Sequence, residues 1–441
     1  GDYYEPGGSE GALIDLSSIG NVPGVIPKAQ APDVIGTFRS SALAKILPSM
    51  RKFNTGLMIT STPVEILDTF FDTVSKLYPD GPTDFFKKAC RVAGPSQLSG
   101  KYFKNDWSSL KDMMYSIESE PDSISLLDWP YFKDLAALYD QIGEANRRTI
   151  YSVSKDMKEG SILYEPSFTI IGTPIFRAAL VNKNIKIARD AAYKHYIIEN
   201  ALNLNKASLQ RVKQAIEDFD RDGIIVREKW YGRTLKAILD GVSEIEPELM
   251  ANITKIEGET EIYRTQLFER HKAIFPHIYS DEFLAIWGVL TGAIDQPHNL
   301  FIEVLLHGKN EADGNKIIHV DTFHTTMKWW STIRDVAVDE GPFNYWPGTH
   351  AWSGRKVFWY YARVIAQRFA GQPEINGSLR VSETDMQYLL GDPNAQPLEC
   401  NTGAGTLIVA DTSGLHRRGH AEPGKRRDLF FGWSRYFPEF A

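Results

Sequence analysis

Cysteine is nearly absent: the 441 residues contain two, Cys90 and Cys400. Two thiols close at most one bridge, so no disulfide scaffold holds this chain together. Neither lies in a Cys-x-x-Cys or Cys/His spacing of the kind that binds zinc. That economy fits a reducing compartment, and the cytoplasm is the expected location. Long apolar runs are also missing. The longest, around Leu284 to Ile294, falls well short of the roughly 20 residues a membrane-spanning helix needs, so no membrane partner is expected. Positive charge is not in excess either. The formal net charge is −7, which offers nucleic acid or anionic lipid no general attraction. The one dense basic stretch, His416-Arg417-Arg418 through Arg427, is a local feature. Internal repeats, low-complexity tracts and phosphate-cradling Gly-rich loops are lacking. The start at Gly1 is acidic and Gly-containing and does not have the pattern of a signal peptide.

What is present is ordinary globular material. Hydrophobic residues make up 43% and charged residues 24%, which supports a folded core and argues against disorder. Residues 1–34, rich in Gly, Pro and small polar types, read as an extended N-terminal arm. Residues 35–204 read as a mainly helical region. Its clearest helix opens at Thr62-Pro63-Val64-Glu65, a capping box with Pro at the first helical position, and continues with Ile66, Phe70, Val74 and Leu77 on one face. A second helix is expected from Asp128 and Pro130, with Phe132, Leu135, Leu138 and Ile142 on one face, and a third over roughly Ile185 to Leu204. These charged and aromatic stripes are read as solvated faces and core. The helical region is a candidate lid, partner-binding domain or homodimer interface.

A second unit is expected over 205–441. An amphipathic helix from Asn205 to Phe219 runs through Asp220-Arg221-Asp222-Gly223 into the apolar strand Ile224-Ile225-Val226. Helical patterns follow near Thr234–Ile253 and Glu259–Phe275. After about residue 296 the pattern turns to short strands: Leu300–Leu306, Lys316–Asp321, Lys328–Val336, Ser378–Val381, Thr406–Asp411 and Asp428–Tyr436. Short strands separated by Gly, Pro, Asp and Asn turns indicate a sandwich or barrel.

The chemistry concentrates on His319-Val320-Asp321. Residues two apart in a strand share a face, so this pair projects together while Val320 points away. Two histidines and a carboxylate are the ligand set of a non-haem Fe(II) site, which leaves three of six positions open. A lone His-x-Asp has a commoner meaning as a surface pair on an edge strand, so the third ligand matters. His416 follows a buried-looking strand, Gly405 to Ala410, and a tight polar turn, Asp411 to Gly414. Its rivals are His420, His324, and His350 in the turn Pro347-Gly348-Thr349-His350, where a structural imidazole is the stronger reading. Arg427 opens a strand whose face continues with Leu429, Phe431 and Trp433. An arginine at the head of an apolar face is costly unless it meets an anion, and its planar fork matches a carboxylate. Arg426 is the alternative to it, and a strand-end arginine reaching solvent is the bland reading.

Together these residues carry a resemblance. The stretch from His319-Val320-Asp321 through Lys328-Trp329-Trp330 to Asp335-Val336, then Gly341-Pro342-Phe343 and Pro347-Gly348-Thr349-His350, resembles the phytanoyl-CoA dioxygenase-like family of Fe(II)/2-oxoglutarate oxygenases. So do Phe219 to Ile225, the turn Asp411 to Gly419, and Arg427, eleven residues after His416. Thr349 stands where the family usually has Ser. The resemblance covers about residues 205–441.

It implies an α+β protein with a double-stranded β-helix (jelly-roll, cupin-like) core and flanking helices. It implies His319, Asp321 and His416 as iron ligands, Arg427 as the anchor of the co-substrate 2-oxoglutarate, and Trp330 as an assisting indole. Fe(II), 2-oxoglutarate and O2 are then the cofactor and co-substrates. The implied reaction is hydroxylation of a small-molecule substrate with release of succinate and CO2; the retained carboxylate of Asp321 disfavours halogenation. Lys328, Tyr345, Trp346 and Trp352 are candidate pocket residues, with core packing the alternative for the aromatics. The competing readings are desaturation or cyclisation by the same chemistry, a cupin-like metal enzyme that does not use 2-oxoglutarate, and a non-catalytic barrel that binds a partner. No CoA patch is evident, so a CoA thioester substrate is not implied.

Overall fold

The computed structural model describes residues 61–82, 104–122, 124–131, 133, 173–199, 202–257, 259–267, 271–294, 300–309, 314–321, 326–369 and 379–435. The arm at 1–34, the helix face formed by Phe132, Leu135, Leu138 and Ile142, and His324 lie outside them. The longer helices are α1 (Pro63–Leu77), α2 (Trp107–Glu118), α3 (Thr173–Tyr193), α4 (Lys206–Asp222), α5 (Leu235–Leu249), α6 (Asp281–Thr291), α7 (Gly354–Phe369) and α8 (Glu383–Leu390). The strands are β1 (Ile224–Arg227), β2 (Lys255–Glu257), β3 (Thr260–Gln266), β4 (Phe301–Leu306), β5 (His319–Val320), β6 (Thr326–Thr332), β7 (Phe343–Tyr345), β8 (Leu379–Arg380), β9 (Leu398–Cys400), β10 (Leu407–Asp411), β11 (His416–Arg418) and β12 (Arg426–Arg435). The protein is thus α+β with antiparallel sheets. Among the described residues no helix is long and apolar enough to cross a membrane.

Two compact units divide the chain: one holds the described residues within 1–183 and 352–394, the other those within 184–351 and 395–436. In the first, α1 begins as its capping box requires. Thr62 Oγ1 accepts from Glu65 N at 3.2 Å, and Glu65 Oε2 accepts from Thr62 N at 2.8 Å. Ile66, Phe70 and Val74 are buried along its inner face. The α7–α8 pair is tied by a buried cluster around Asp385. Its Oδ1 accepts from Trp359 Nε1 at 2.8 Å and from Arg363 Nε at 2.8 Å, while Arg363 also donates to Ser61 O. Ser382 caps α8 through the same aspartate.

The second unit carries two sheets. The larger runs β1-β10-β6-β12-β4-β3-β2, antiparallel throughout. In the smaller, β11 pairs with β5 and with β7, and β7 with β9. Alternation of side chains gives the large sheet two different faces. One carries Ile302, Val304, Met327, Trp329, Leu407, Val409 and Phe430, which form a single core with residues of α4, α5 and α6. Each large apolar side chain buried there contributes about 1.5–3 kcal/mol, so this helix-covered face supplies much of the unit's stability. The other face meets the small sheet across a narrower core: Ile224, Ile408 and Ala410 on one side, Tyr345 and Cys400 on the other, with Trp330 and Phe343 packed beside them. Burial pushes the Cys400 thiol up to about 12, so it acts as a small apolar side chain.

Helix α4 is bounded as its sequence directs. Asn205 Oδ1 accepts from Ser208 N at 2.9 Å at the start, and Gly223 adopts φ 74° at the end. A Cβ on Gly223 would lie 2.4 Å from the His350 ring and 2.5 Å from the Tyr345 hydroxyl. Only glycine therefore permits both the left-handed turn and the close approach. The apolar run at Leu284–Ile294 is largely α6, buried on nearly every side.

Two expectations fail. The helix read over Glu259–Phe275 is instead strand β3 where it begins. Thr260, Ile262, Tyr263 and Thr265 suit a pleated surface, and β3 pairs along its length with β4; short apolar spacings fit both periods. The region after 296 is not strands alone, for α7 and α8 interrupt it. The capping signature Ser382-Glu383-Thr384-Asp385 marks the second of these in the sequence. The strand expected over Lys316–Asp321 shortens to His319–Val320.

Replacing Asp385 by Ala leaves Arg363 buried without its carboxylate. Removing one partner of a buried pair costs about 3–5 kcal/mol. A loss of that size is expected in urea unfolding of Asp385→Ala, and an unchanged midpoint contradicts the role given to this cluster.

Candidate metal centre

Strand β5 meets β11 at one position, with His416 opposite His319. Directly opposed residues of an antiparallel pair share a face. The two imidazoles therefore lie side by side, with ring centroids 4.3 Å apart. Asp321, next in the chain after β5, is held by its own N–H, which donates to Thr412 O at 3.1 Å. Both rings are oriented by backbone. His319 Nδ1 is 2.7 Å from Ile317 O, and His416 Nδ1 is 2.9 Å from Gly414 O. A carbonyl only accepts, so each Nδ1 carries the hydrogen, and it is the Nε2 of each ring that is left for a metal to bind.

Those two nitrogens converge on one carboxylate oxygen. Asp321 Oδ1 is 3.5 Å from His416 Nε2 and 3.8 Å from His319 Nε2. Donors that each sit about 2 Å from a common ion are at most about 4 Å apart, so either pair can reach one ion. The three residues form the one cluster of metal-ligand type found among the described residues, with donor atoms within 4.8 Å of one another. His319 and His416 are 6% and 5% exposed. The other oxygen, Asp321 Oδ2, faces Lys328 Nζ at 2.7 Å. Burial acts to raise the Asp321 carboxyl, but opposing charge, the Lys328 ammonium foremost, holds the group well below the usual carboxylate range.

The other residues singled out in the sequence are distributed as follows. Lys328 and Trp330 project from β6 away from the helix-covered core. Trp330 packs on Phe343 with centroids 4.4 Å apart, and Phe343 lies 5.6 Å from the His416 ring. Tyr345 is fully buried and donates its hydroxyl to Asp411 O at 2.9 Å. Trp346 donates its indole N–H to Ala395 O at 2.7 Å, with Arg417 over its ring. Trp352 belongs to the first unit, stacked on Tyr360 with Lys356 over its face. His350 packs against Phe219, and His420 is exposed; neither joins the cluster.

The two arginines that open β12 separate cleanly. Arg426 makes a bidentate pair with Asp428 at 2.6 and 2.7 Å and reaches Glu246 at 2.6 Å, and Arg334 joins the same carboxylates. Arg427 projects to the opposite face and donates Nη1 to Gly341 O.

Three further residues were not singled out in the sequence. Phe343 ends the Gly341-Pro342-Phe343 turn and opens β7. Arg418 is two residues beyond His416 in β11, hence on its face, and is buried; strand parity alone could have found it. A Cβ on Gly341 would lie 2.9 Å from the His307 ring and 3.3 Å from Arg418 Cγ, so His307, Arg418 and Arg427 gather about this glycine. Nothing in the local sequence marks His307. Burial, then Arg427 and Arg418, push its imidazole down to about 3, while its Nε2 faces Glu340 O at 3.0 Å. The same face of β4 and β12 also carries Phe301, Phe431 and Trp433, whose near-parallel rings are 5.0 to 5.6 Å apart.

No protein-family model matches the chain, and no curated protein matches it. Solved structures similar to it include the non-haem alpha-ketoglutarate-dependent carbocyclase SnoK from nogalamycin biosynthesis (14% identity, TM-score 0.35, covering 53% of this chain and 84% of that one). EctD from S. alaskensis, solved with 2-oxoglutarate and 5-hydroxyectoine, is another (14%, 0.35, 50% and 74%). A third is a Pseudomonas putida prolyl-4-hydroxylase (9%, 0.32, 51% and 98%). Similarity at this level leaves the reading of the centre to its own geometry.

His307 also gives a signed pH dependence. Its folded value lies near 3 and its unfolded value near 6.5, so below about 6.5 the unfolded chain binds a proton that the folded chain does not. Stability present above that pH is lost as pH falls toward 3, with a slope of up to about 1.4 kcal/mol per pH unit. His307→Gln should flatten the unfolding free energy between pH 6 and 4; a slope identical to the wild type contradicts this.

Proposed function

We propose that this protein is an Fe(II)- and 2-oxoglutarate-dependent oxygenase with a double-stranded β-helix core. It hydroxylates an unactivated C–H bond of a small-molecule substrate. The observation that carries this reading is the convergence of two Nε2 atoms and one carboxylate oxygen, with both Nδ1 atoms engaged by carbonyls. Neutral imidazoles fixed in this tautomer, plus one anion, match the two-histidine, one-carboxylate donor set, which leaves open positions, rather than a closed structural site. When bound, Fe(II) with O2 and 2-oxoglutarate supplies the oxidation: one oxygen atom enters the substrate C–H bond, the other enters succinate, and CO2 leaves.

The chain's own residues prepare the site for that chemistry. His319 and His416 hold the ion through Nε2, and Asp321 adds the negative charge. Arg427 offers its guanidinium to the far carboxylate of 2-oxoglutarate, with the Trp330 indole on the same face of the large sheet. Phe301, Phe431 and Trp433 stack together on that same face, an apolar surface that suits an apolar part of the substrate.

Two measurements test the reading. Substrate-stimulated release of succinate from 2-oxoglutarate is expected in a metabolite screen, and it is lost in His319→Ala or Asp321→Ala; turnover at the wild-type rate in either variant sinks the assignment. Arg427→Met should raise the KM for 2-oxoglutarate about 10- to 100-fold, the worth of a charge-assisted hydrogen bond of about 1.5–3 kcal/mol. An unchanged KM places the co-substrate elsewhere.

A further inference from the structure

We infer that Lys328 decides how Asp321 meets the metal: it occupies Oδ2 and leaves Oδ1 as the single coordinating oxygen. The inference rests on the reading of His319, Asp321 and His416 as iron ligands. The two carboxylate oxygens are already in different positions. Oδ1 is the atom 3.5 and 3.8 Å from the two Nε2 atoms, whereas Oδ2 is 2.7 Å from Lys328 Nζ.

Register puts the lysine there. Met327 and Trp329 on either side of it belong to the helix-covered core, so Lys328 takes the opposite face of β6 by strand alternation. On that face its cross-strand neighbours are Ala410 on β10 and Trp433 on β12. Ala410, with its single methyl group, leaves room on one side, and Trp433 is the residue directly across on the other. The ammonium therefore projects toward the small sheet, with 15% of its side chain exposed. Holding an ammonium in so enclosed a place is costly unless it faces an anion, and Asp321 is that anion.

The consequence is a matter of vacant positions. A carboxylate binds a metal through one oxygen or two. With two imidazoles and one carboxylate oxygen, three of six positions stay open: two for the keto-acid end of 2-oxoglutarate and one for O2. A carboxylate swung to bind through both oxygens takes one of these. Lys328, by holding Oδ2, keeps that position vacant. It is a positioning residue, and as a cation beside a divalent cation it adds nothing to metal affinity. A side chain that merely stabilised the fold would show a different pattern, with metal affinity and activity lost together.

The test uses the full chain loaded with Co(II), whose visible spectrum reports the number and geometry of its ligands, and with Fe(II) for turnover. In Lys328→Met, Co(II) should bind within about threefold of the wild-type Kd. Its spectrum should shift before any 2-oxoglutarate is added, and succinate formation should fall about 10- to 100-fold, the usual effect of losing a group that orients a metal ligand. Lys328→Arg, which keeps a cation on Oδ2, should restore the wild-type spectrum and recover most of the turnover. A wild-type spectrum with wild-type turnover in Lys328→Met overturns the inference, as does a loss of Co(II) binding as complete as that of His416→Ala. The iron reading itself fails separately, if wild-type protein and His416→Ala bind Co(II) equally.

Discussion

The arrangement depends on one antiparallel bridge, His319 opposite His416. Strands β6 to β10 lie between these two residues in the sequence, so nothing local brings them together. The bridge does three things. It puts both rings on one face, it sets them 4.3 Å apart, and it leaves each Nδ1 beside a carbonyl from two residues earlier in its own strand or turn. Side-chain alternation has a period of two. A slip of one residue in this register would present Val320 or Arg417 to the centre in place of a histidine.

The large sheet applies the same alternation to a different end. Its outer face carries the apolar core covered by α4, α5 and α6, with the Arg426–Asp428 pair at one end of β12. Because that face carries the burial, the inner face tolerates groups that are expensive to enclose, provided they find partners: Lys328 on Asp321, Arg264 on Glu303, Arg427 on the Gly341 carbonyl. Arg426 and Arg427 show the principle most directly. They are adjacent in sequence and identical in chemistry, yet one closes an ion-pair network with Asp428 and Glu246 while the other turns to the inner face. Gly223 and Gly341 serve this packing, since a side chain at either would collide with His350 and Tyr345 or with His307.

Much of this was legible in the chain. The capped start of α1, the Asn205-to-Gly223 bounds of α4, the parity of His319 and Asp321, and strands β4, β10 and β12 all follow from local rules of capping and alternation. Helices α7 and α8 and strands β3 and β7 were not read. In β3 the apolar spacing fits two periods, and only its pairing with β4 selects one. Strand β7 has three residues, too few to show a period. Arg418 could have been found by counting two residues from His416, whereas His307 could not, because its surroundings come from β11, β12 and the Gly341 turn.

By itself the sequence determined residue types and local geometry: which positions cap, which alternate, and that a histidine and an aspartate two apart project together. These depend on neighbours a few residues away, and the backbone enforces them wherever the segment lies. Only the tertiary structure decided which histidine stands beside that pair, with His416 in the cluster, His420 exposed and His350 packed on Phe219. It alone decided which arginine faces inward and that Lys328 meets Asp321. Those outcomes turn on strand register and on the cost of burying a charge without a partner, quantities that exist only once distant segments have been brought together.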